Sequence, residues 1–244
     1  MASYFLSDDL GLNVSRGLVK GATAVHVLGY NPDIDTSTDP ETVWYYGGQY
    51  PWSTLATANT LHLSSSNTSD TSTVTINGLD SNFNVITETV TLQGTSSVAT
   101  TKKFLRINDA YYHDTTPNVG DIAFKFANSS GVVVDQIGAG YGQNTTGVYT
   151  IPLGKTGYLF MGDCSTNLNK EITVVFRIRL YGSSFRVAHI VELSNGSYNY
   201  KFPFPSAIPE KSDLEVYVEN TLDNNTRVAC NFDLLLVDNP PTIT

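Results

Sequence analysis

Charge is what this chain has least of. Charged residues make up 15% of its 244 positions, against roughly 25% in an average soluble protein. Asn, Ser, Thr and Gly fill the polar share instead, a composition common in extracellular and virion β-proteins. The net charge is −9, and no basic stripe runs along the chain to neutralise phosphates, so a nucleic-acid partner is not expected. No apolar run approaches the ~20 residues of a membrane span, and the start, MASYFLSDDLGL, has no basic region followed by an apolar one. The expectation is synthesis in the cytoplasm with no membrane partner.

Cysteine is equally scarce. Cys164 and Cys230 are the only two, too few for a disulfide framework or a Cys-only zinc site. Each lies inside a strand-like run, so the pair reads either as two free, buried thiols, the preferred reading, or as one disulfide. No segment carries helical periodicity beyond two turns.

Strands fill the gap. The clearest stretch is Ser72–Leu92, STVTINGLDSNFNVITETVTL. Val74 and Ile76 alternate with Thr73 and Thr75. After a polar loop, Ile86, Val90 and Leu92 alternate with Thr87, Thr89 and Thr91. A period of two marks a strand with one dry and one wet face, and β-branched residues suit its pleat. The wet face is made of hydroxyls. Glu88 shares the parity of Ile86 and Val90, so it should point to the dry side and needs a partner; Arg106, Lys103 or a covering subunit are the expected ones.

Similar runs follow: Leu61–Ser65, Lys103–Tyr112, Ile122–Ala127, Val132–Ile137, Gly147–Ile151, Tyr158–Cys164, Glu171–Leu180, Phe185–Leu193, Tyr198–Phe204, Leu214–Val218 and Val228–Val237, with Ser97–Thr101 as a short link. Turn signals such as Ser194-Asn-Gly196 and Asp223-Asn-Asn225 separate them. Many short strands with polar turns and almost no helix predict an all-β protein. The expected organisation is an extended arm over 1–41 with one short strand at Ala24–Leu28, a small β domain over 42–114, and a β-sandwich of jelly-roll type over 115–244.

Candidate sites are few. Asp33, Asp35 and Asp39 place carboxylates at alternate positions, as a calcium loop does. The EF-hand pattern fails, because Thr38 and Trp44 stand where it needs Gly and Glu. A looser cation site or an Asx-turn loop remains. The histidines are dispersed; His26 and His189 sit in apolar alternation and read as core residues. His113-Asp114 could form a base with its orienting carboxylate, but no nucleophile elbow accompanies it. Gly138-Ala-Gly140-Tyr-Gly142 lacks the lysine and helix of a phosphate loop and reads as a wide turn. Lys102-Lys103 and Arg177/Arg179 read as solvated strand faces or local ion pairs. Trp44, Tyr45, Tyr46, Tyr50 and Trp52 form an aromatic cluster that either plugs a barrel end or subunit contact, or lines a ligand groove. Tyr141, Tyr198 and Tyr200 are the alternative candidates for stacking on sugars. No cofactor motif is present, and no pair of carboxylates is set for glycoside hydrolysis.

The order of several segments resembles accessory virion proteins of tailed bacteriophages. These are Asn31-Pro-Asp-Ile-Asp-Thr36, Trp44…Gly47-Gly-Gln-Tyr-Pro-Trp52, Asn77-Gly-Leu-Asp…Ile86-Thr-Glu-Thr-Val-Thr-Leu92, Phe104-Leu-Arg-Ile107, Tyr149-Thr-Ile-Pro…Gly154-Lys-Thr-Gly-Tyr158, and Pro209-Glu-Lys-Ser-Asp-Leu214…Phe232-Asp-Leu-Leu-Leu-Val-Asp238. The likeness runs from about residue 30 to 238. It implies a non-enzymatic virion component of the capsid decoration or cement type, a homo-oligomer (trimer favoured) held to the major capsid protein or other virion proteins. A tail, collar or adaptor protein, or a carbohydrate-binding module on the virion, are the alternatives.

Overall fold

A computed structural model describes residues 9–167, 169–194 and 196–240. It is almost entirely antiparallel β. A short helix, α1 (Leu10–Ser15), is capped by Asp9, whose carboxylate accepts from the Leu12 amide. Sixteen strands follow: β1 (Ala22–Ile34), β2 (Glu41–Thr42), β3 (Leu61–Ser65), β4 (Thr73–Leu79), β5 (Val85–Thr91), β6 (Val98–Ala99), β7 (Arg106–His113), β8 (Ile122–Phe126), β9 (Val133–Ile137), β10 (Val148–Thr150), β11 (Lys155–Thr166), β12 (Glu171–Arg179), β13 (Phe185–Ser194), β14 (Ser197–Ile208), β15 (Asp213–Thr221) and β16 (Thr226–Asp238).

Two sheets share the larger core. One has the order β1-β16-β11-β14; the other runs β10-β15-β12-β13, with β2 also on β15. Alternation dictates what they bury. Along β15, Leu214, Val216 and Val218 turn inward, and along β16, Val228, Cys230, Phe232, Leu234 and Leu236 do the same. β1 is the main surprise. Residues expected as an arm with one short strand form a 13-residue strand paired with β16 from Ala22↔Val237 to Ile34↔Thr226. Val27 and Ile34 anchor it in the core. Its weak alternation reflects glycine, asparagine and proline at 29, 31 and 32, which the ladder tolerates because β1 is an edge strand.

The remaining strands form two smaller sheets, β6-β3-β8-β9 and β5-β4-β7, with their own core around Leu61, Leu63, Val74, Ile76, Phe104 and Phe124. The threonine hairpin lies here. Thr73, Thr75 and Asn77 face Thr91, Thr89 and Thr87 directly across the ladder. Thr75 and Thr89 hydroxyls meet at 2.8 Å, and the Thr87 hydroxyl donates to Asn77 Oδ1 at 2.8 Å. The hydroxyl face is therefore cross-linked, not merely wet.

The way the two β units join differs from the expected division at 41 and 115. Val43 donates to Val216 O at 2.9 Å, and Val216 donates back to Gly147 O at 2.9 Å. The Gly147 amide donates to Val43 O at 2.8 Å. β2 and β10 thus lie end to end on β15, as one edge strand interrupted between 43 and 147. Residues 44–146 form a unit inserted into that strand. The turn at Thr115–Asn118, expected as a boundary, lies inside it, since β8 pairs with β3. Residues 9–43 and 147–240 together make the larger unit. Asn108 ties the two, its amide donating to Thr150 O at 2.9 Å and its Oδ1 accepting from Thr150 N at 3.0 Å.

Candidate functional site

Arg177 and Arg179 are two residues apart on β12, so both leave the larger core on the same side, opposite Ile178. Their cross-strand partners on β15 are Glu215 and Asp213. Arg177 Nη2 lies 2.8 Å from Glu215 Oε2, and Arg179 Nη2 lies 2.6 Å from Asp213 Oδ2. The ion-pair reading of these arginines is correct, and their face is only partly solvated. The inserted unit stands opposite it across a cleft and leaves a quarter of each arginine side chain exposed.

Both acids are buried, Glu215 with no exposed surface, and both hold the inserted unit. Asp213 accepts from Arg106 Nε at 2.9 Å and from the Thr150 hydroxyl at 2.6 Å. Glu215 accepts from Trp52 Nε1 at 2.7 Å and from the Thr42 hydroxyl at 2.5 Å. A buried carboxylate needs this many donors to offset lost hydration. The Arg106 guanidinium also donates to the Leu55 and Leu105 carbonyls at 2.7 and 2.9 Å, so each of its three nitrogens is engaged.

Guanidiniums and rings interleave above these acids. Arg106 and Arg179 lie 5.2 and 4.8 Å from the Trp52 ring centre, and Arg177 and Arg179 each lie 4.6 Å from that of Phe185. Lys211 Nζ stands 5.2 Å from the Tyr181 ring, which itself meets Phe83 edge-on at 5.5 Å. Stacks of this kind attract cations to ring faces. They form one side of a cleft of about 1360 Å³ between the two units. Lys102 and Lys103 of the inserted unit line it as well. Tyr50 lies at its floor; burial pushes its phenol above the ordinary value, with Asp135 adding to the rise and Arg106 opposing it.

The aromatic cluster expected at 44–52 divides accordingly. Trp44 and Tyr50 are core residues of the inserted unit, packed edge-on at 5.2 Å, with 1% and 5% of their surface exposed. Tyr45 packs beside Tyr30 and Tyr141 and fills the space over Gly138. Tyr46 is exposed, and Trp52 reaches the cleft. Tyr141 stacks on Tyr30 at 5.8 Å. Tyr198 and Tyr200 lie elsewhere, stacked at 6.2 Å on β14 with His189 beside them. That strand loses register opposite β11 around Phe202-Pro-Phe-Pro205. Two prolines without N–H open the ladder, and Phe204 projects with 90% of its surface exposed.

The other expected sites take structural roles. Asp35 and Asp39 accept from the Asn225 and Thr221 amides at 2.7 and 3.1 Å, so they cap the β15–β16 turn. With Asp33 they form no group of three or more metal-ligating side chains among the described residues. Glu88 does turn to the dry side, but its partners are backbone amides, Thr101 N and Lys102 N, both at 2.7 Å. Arg106 is engaged by Asp213 instead. His113 bonds the Thr75 hydroxyl at 2.8 Å, while Asp114 accepts from Thr115 and Tyr112, so no His–Asp pair forms. His26 is not a core residue: it sits on the outer face of β1, paired with Asp233. The 138–142 glycines form a turn held by buried Asn118, which bonds Gly138 O and the Gly142 amide. Cys164 and Cys230 are free and face each other across β11 and β16. Cys230 is buried and Cys164 half-buried; burial, then the neighbouring Cys164, raises the Cys230 thiol.

Sequence reasoning missed Asp213 and Glu215. A signal existed: two acids at i, i+2 on one strand and two arginines at i, i+2 on another, each opposite an apolar face.

Fold and cleft together define a two-part all-β protein with a cation- and aromatic-lined groove where its units meet. No family model matches the chain, and no curated protein matches it. Among solved structures it is similar to the VP2 subviral particle of infectious bursal disease virus, with 8% identity, covering 90% of this chain and 72% of that one, at a TM-score of 0.24. The Gx strain of the same virus gives 8% identity, 90% and 73% coverage, and a TM-score of 0.23. Superpositions this loose do not establish a shared fold.

Proposed function

We propose that the protein is a non-enzymatic structural component of a virion, of the decoration or cement type, that binds the major capsid protein and works as a homo-oligomer, a trimer before other states. The observation that carries this is the strand order of the larger unit. With β2 and β10 taken as one strand, its eight strands number 1-8-3-6 in one sheet and 2-7-4-5 in the other. We read that order as a jelly roll, an architecture that serves viral capsid and lectin domains. Fold alone does not fix function. Two further features support the reading. The buried carboxylates Asp70, Asp213 and Glu215 are each saturated by donors that fix loops and sheets, as a rigid scaffold requires. Phe204 offers a projecting apolar contact.

The test is addition of the purified protein to shells lacking it. Stoichiometric binding that raises the shell's melting temperature, and that is weakened at least tenfold by Phe204→Ser, is the expected result. Absence of both binding and stabilisation would overturn the proposal.

A further inference from the structure

The cleft between the two units carries more positive charge than its own acids neutralise. Arg106, Arg177, Arg179, Lys102, Lys103 and Lys211 line it, and only Asp80 and Asp213 line it with them; Glu215 lies directly beneath. In a chain of net charge −9, that local excess is built against the overall field.

The pins that hold the two units leave donors unused. Arg177 bonds Glu215 through Nε and Nη2, and Arg179 bonds Asp213 through the same two atoms. In both, Nη1 has no hydrogen-bond partner among the described residues, while Phe185 and the acids fix the guanidinium plane. Among the described residues, Lys211 Nζ lies against the Tyr181 and Phe83 rings and forms no ion pair. Lys103 is exposed and likewise makes no ion pair among the described residues. These groups are held in place before any ligand arrives, which lowers the entropy lost on binding.

Three features select the ligand. Tyr181 is 68% exposed at the mouth, an aromatic platform beside Lys211. Exposed hydroxyl and amide side chains line it together with the cations: Gln49, Ser53, Thr57, Ser81 and Ser183. The walls are mostly turns, at 49–58, 80–83, 102–105 and 180–183, so an extended peptide finds little unpaired strand edge to join. Anionic groups suit the free guanidinium and ammonium donors, a ring face suits stacking, and a hydroxylated rim suits a polyol. We infer that this cleft binds an acidic oligosaccharide, one whose sugars carry carboxylates, with Arg177 and Arg179 Nη1, Lys103 and Lys211 on the carboxylates and Tyr181 against a sugar face. The site goes beyond the structural role proposed above and stands whether or not the chain decorates a shell.

The test is isothermal titration of the full chain with tetragalacturonate, maltotetraose and tetraglutamate, with Trp52 fluorescence as a second readout. Saturable binding of tetragalacturonate, at least tenfold tighter than either of the others and weakened by salt, is expected. The double variant Lys103→Ala/Lys211→Asn should weaken it at least tenfold, and Tyr181→Ala should weaken it severalfold. Asn is chosen at 211 because that residue has φ +61°, which Asn tolerates. Neither lysine pins the fold, so unfolding midpoints should stay at the wild-type value. No saturable tetragalacturonate binding, equal binding of maltotetraose, equal binding of tetraglutamate, or binding unaffected by the lysine and tyrosine variants would each overturn the inference.

Discussion

Arg106, the first residue of β7 in the inserted unit, donates through Nε to Asp213 at the start of β15, 2.9 Å away, with both side chains less than a tenth exposed. One carboxylate thereby joins two separately cored units, since Asp213 also takes Arg179 and the Thr150 hydroxyl. Removing one member of a buried ion pair leaves an unpaired buried charge, at about 3–5 kcal/mol. Asp213→Ala is expected to lower stability by about that much in urea unfolding. Arg106→Met added to Asp213→Ala should cost less than the sum of the two singles, by roughly 1–3 kcal/mol in a double-mutant cycle. Strict additivity would show that the pair does not couple the units.

Asp135 gives the pH dependence. It is 1% exposed and accepts from the Thr146 hydroxyl at 2.5 Å, Asn144 Nδ2 at 2.7 Å and the Gln136 amide at 2.8 Å. Burial outweighs these donors and pushes its pKa up to about 7. In the unfolded chain it returns to about 4. A folded-state value above the unfolded one favours the fold at low pH, so this contribution is complete below about pH 4 and is lost as pH rises through 7. The loss is at most on the order of 4 kcal/mol. Melting temperature measured from pH 4 to 8 should fall less steeply in Asp135→Asn than in the wild type. Parallel profiles would contradict the assignment.

The join at Val43 and Gly147 makes the insertion removable. The 2.8 Å bond from the Gly147 amide to Val43 O has the pattern that closes a two-residue turn. A chain with Asn-Gly in place of 44–146 should keep the larger β unit folded, with cooperative unfolding and dispersed amide NMR signals. It should be less stable than the parent, because Asp213 and Glu215 lose their partners Arg106 and Trp52. A collapsed spectrum without dispersion would show that the units fold only together.

Gly29 is the tightest point beside that join. A Cβ there would meet Cys230 O at 2.7 Å, Gly147 Cα at 3.0 Å and Val43 O at 3.1 Å. Backbone on three sides cannot step aside, so Gly29→Ala is expected to cost about 1–3 kcal/mol by overpacking. Gly162→Ala is the control on β11, on the far side of β16 in the same sheet, since its nearest atom is Asn231 O at 3.6 Å. Equal urea midpoints for the two variants would refute the close approach.

How much was legible from sequence follows from the range of each interaction. Strand alternation depends on side chains two residues apart, so β3, β8 and β12 fall within a residue or two of their expected bounds. Glu88 could be placed on the dry face by parity alone, yet its partners could not, because backbone amides from a loop thirteen residues on satisfy it. β1 runs longer than its alternation predicts because its pairing with β16 joins residues more than 190 positions apart.

By itself the sequence determined an all-β chain, poor in charge, with hydroxyl-faced strands and two cysteines outside any disulfide framework. Those properties are set by composition and local periodicity, which survive any arrangement of the strands. Long-range packing sets the rest: residues 44–146 interrupt a single edge strand, Trp44 and Tyr50 lie inside, and Arg106, Arg177 and Arg179 converge on two buried acids. Each of those depends on which sheet covers which face, a matter of contacts between distant segments that no local pattern encodes.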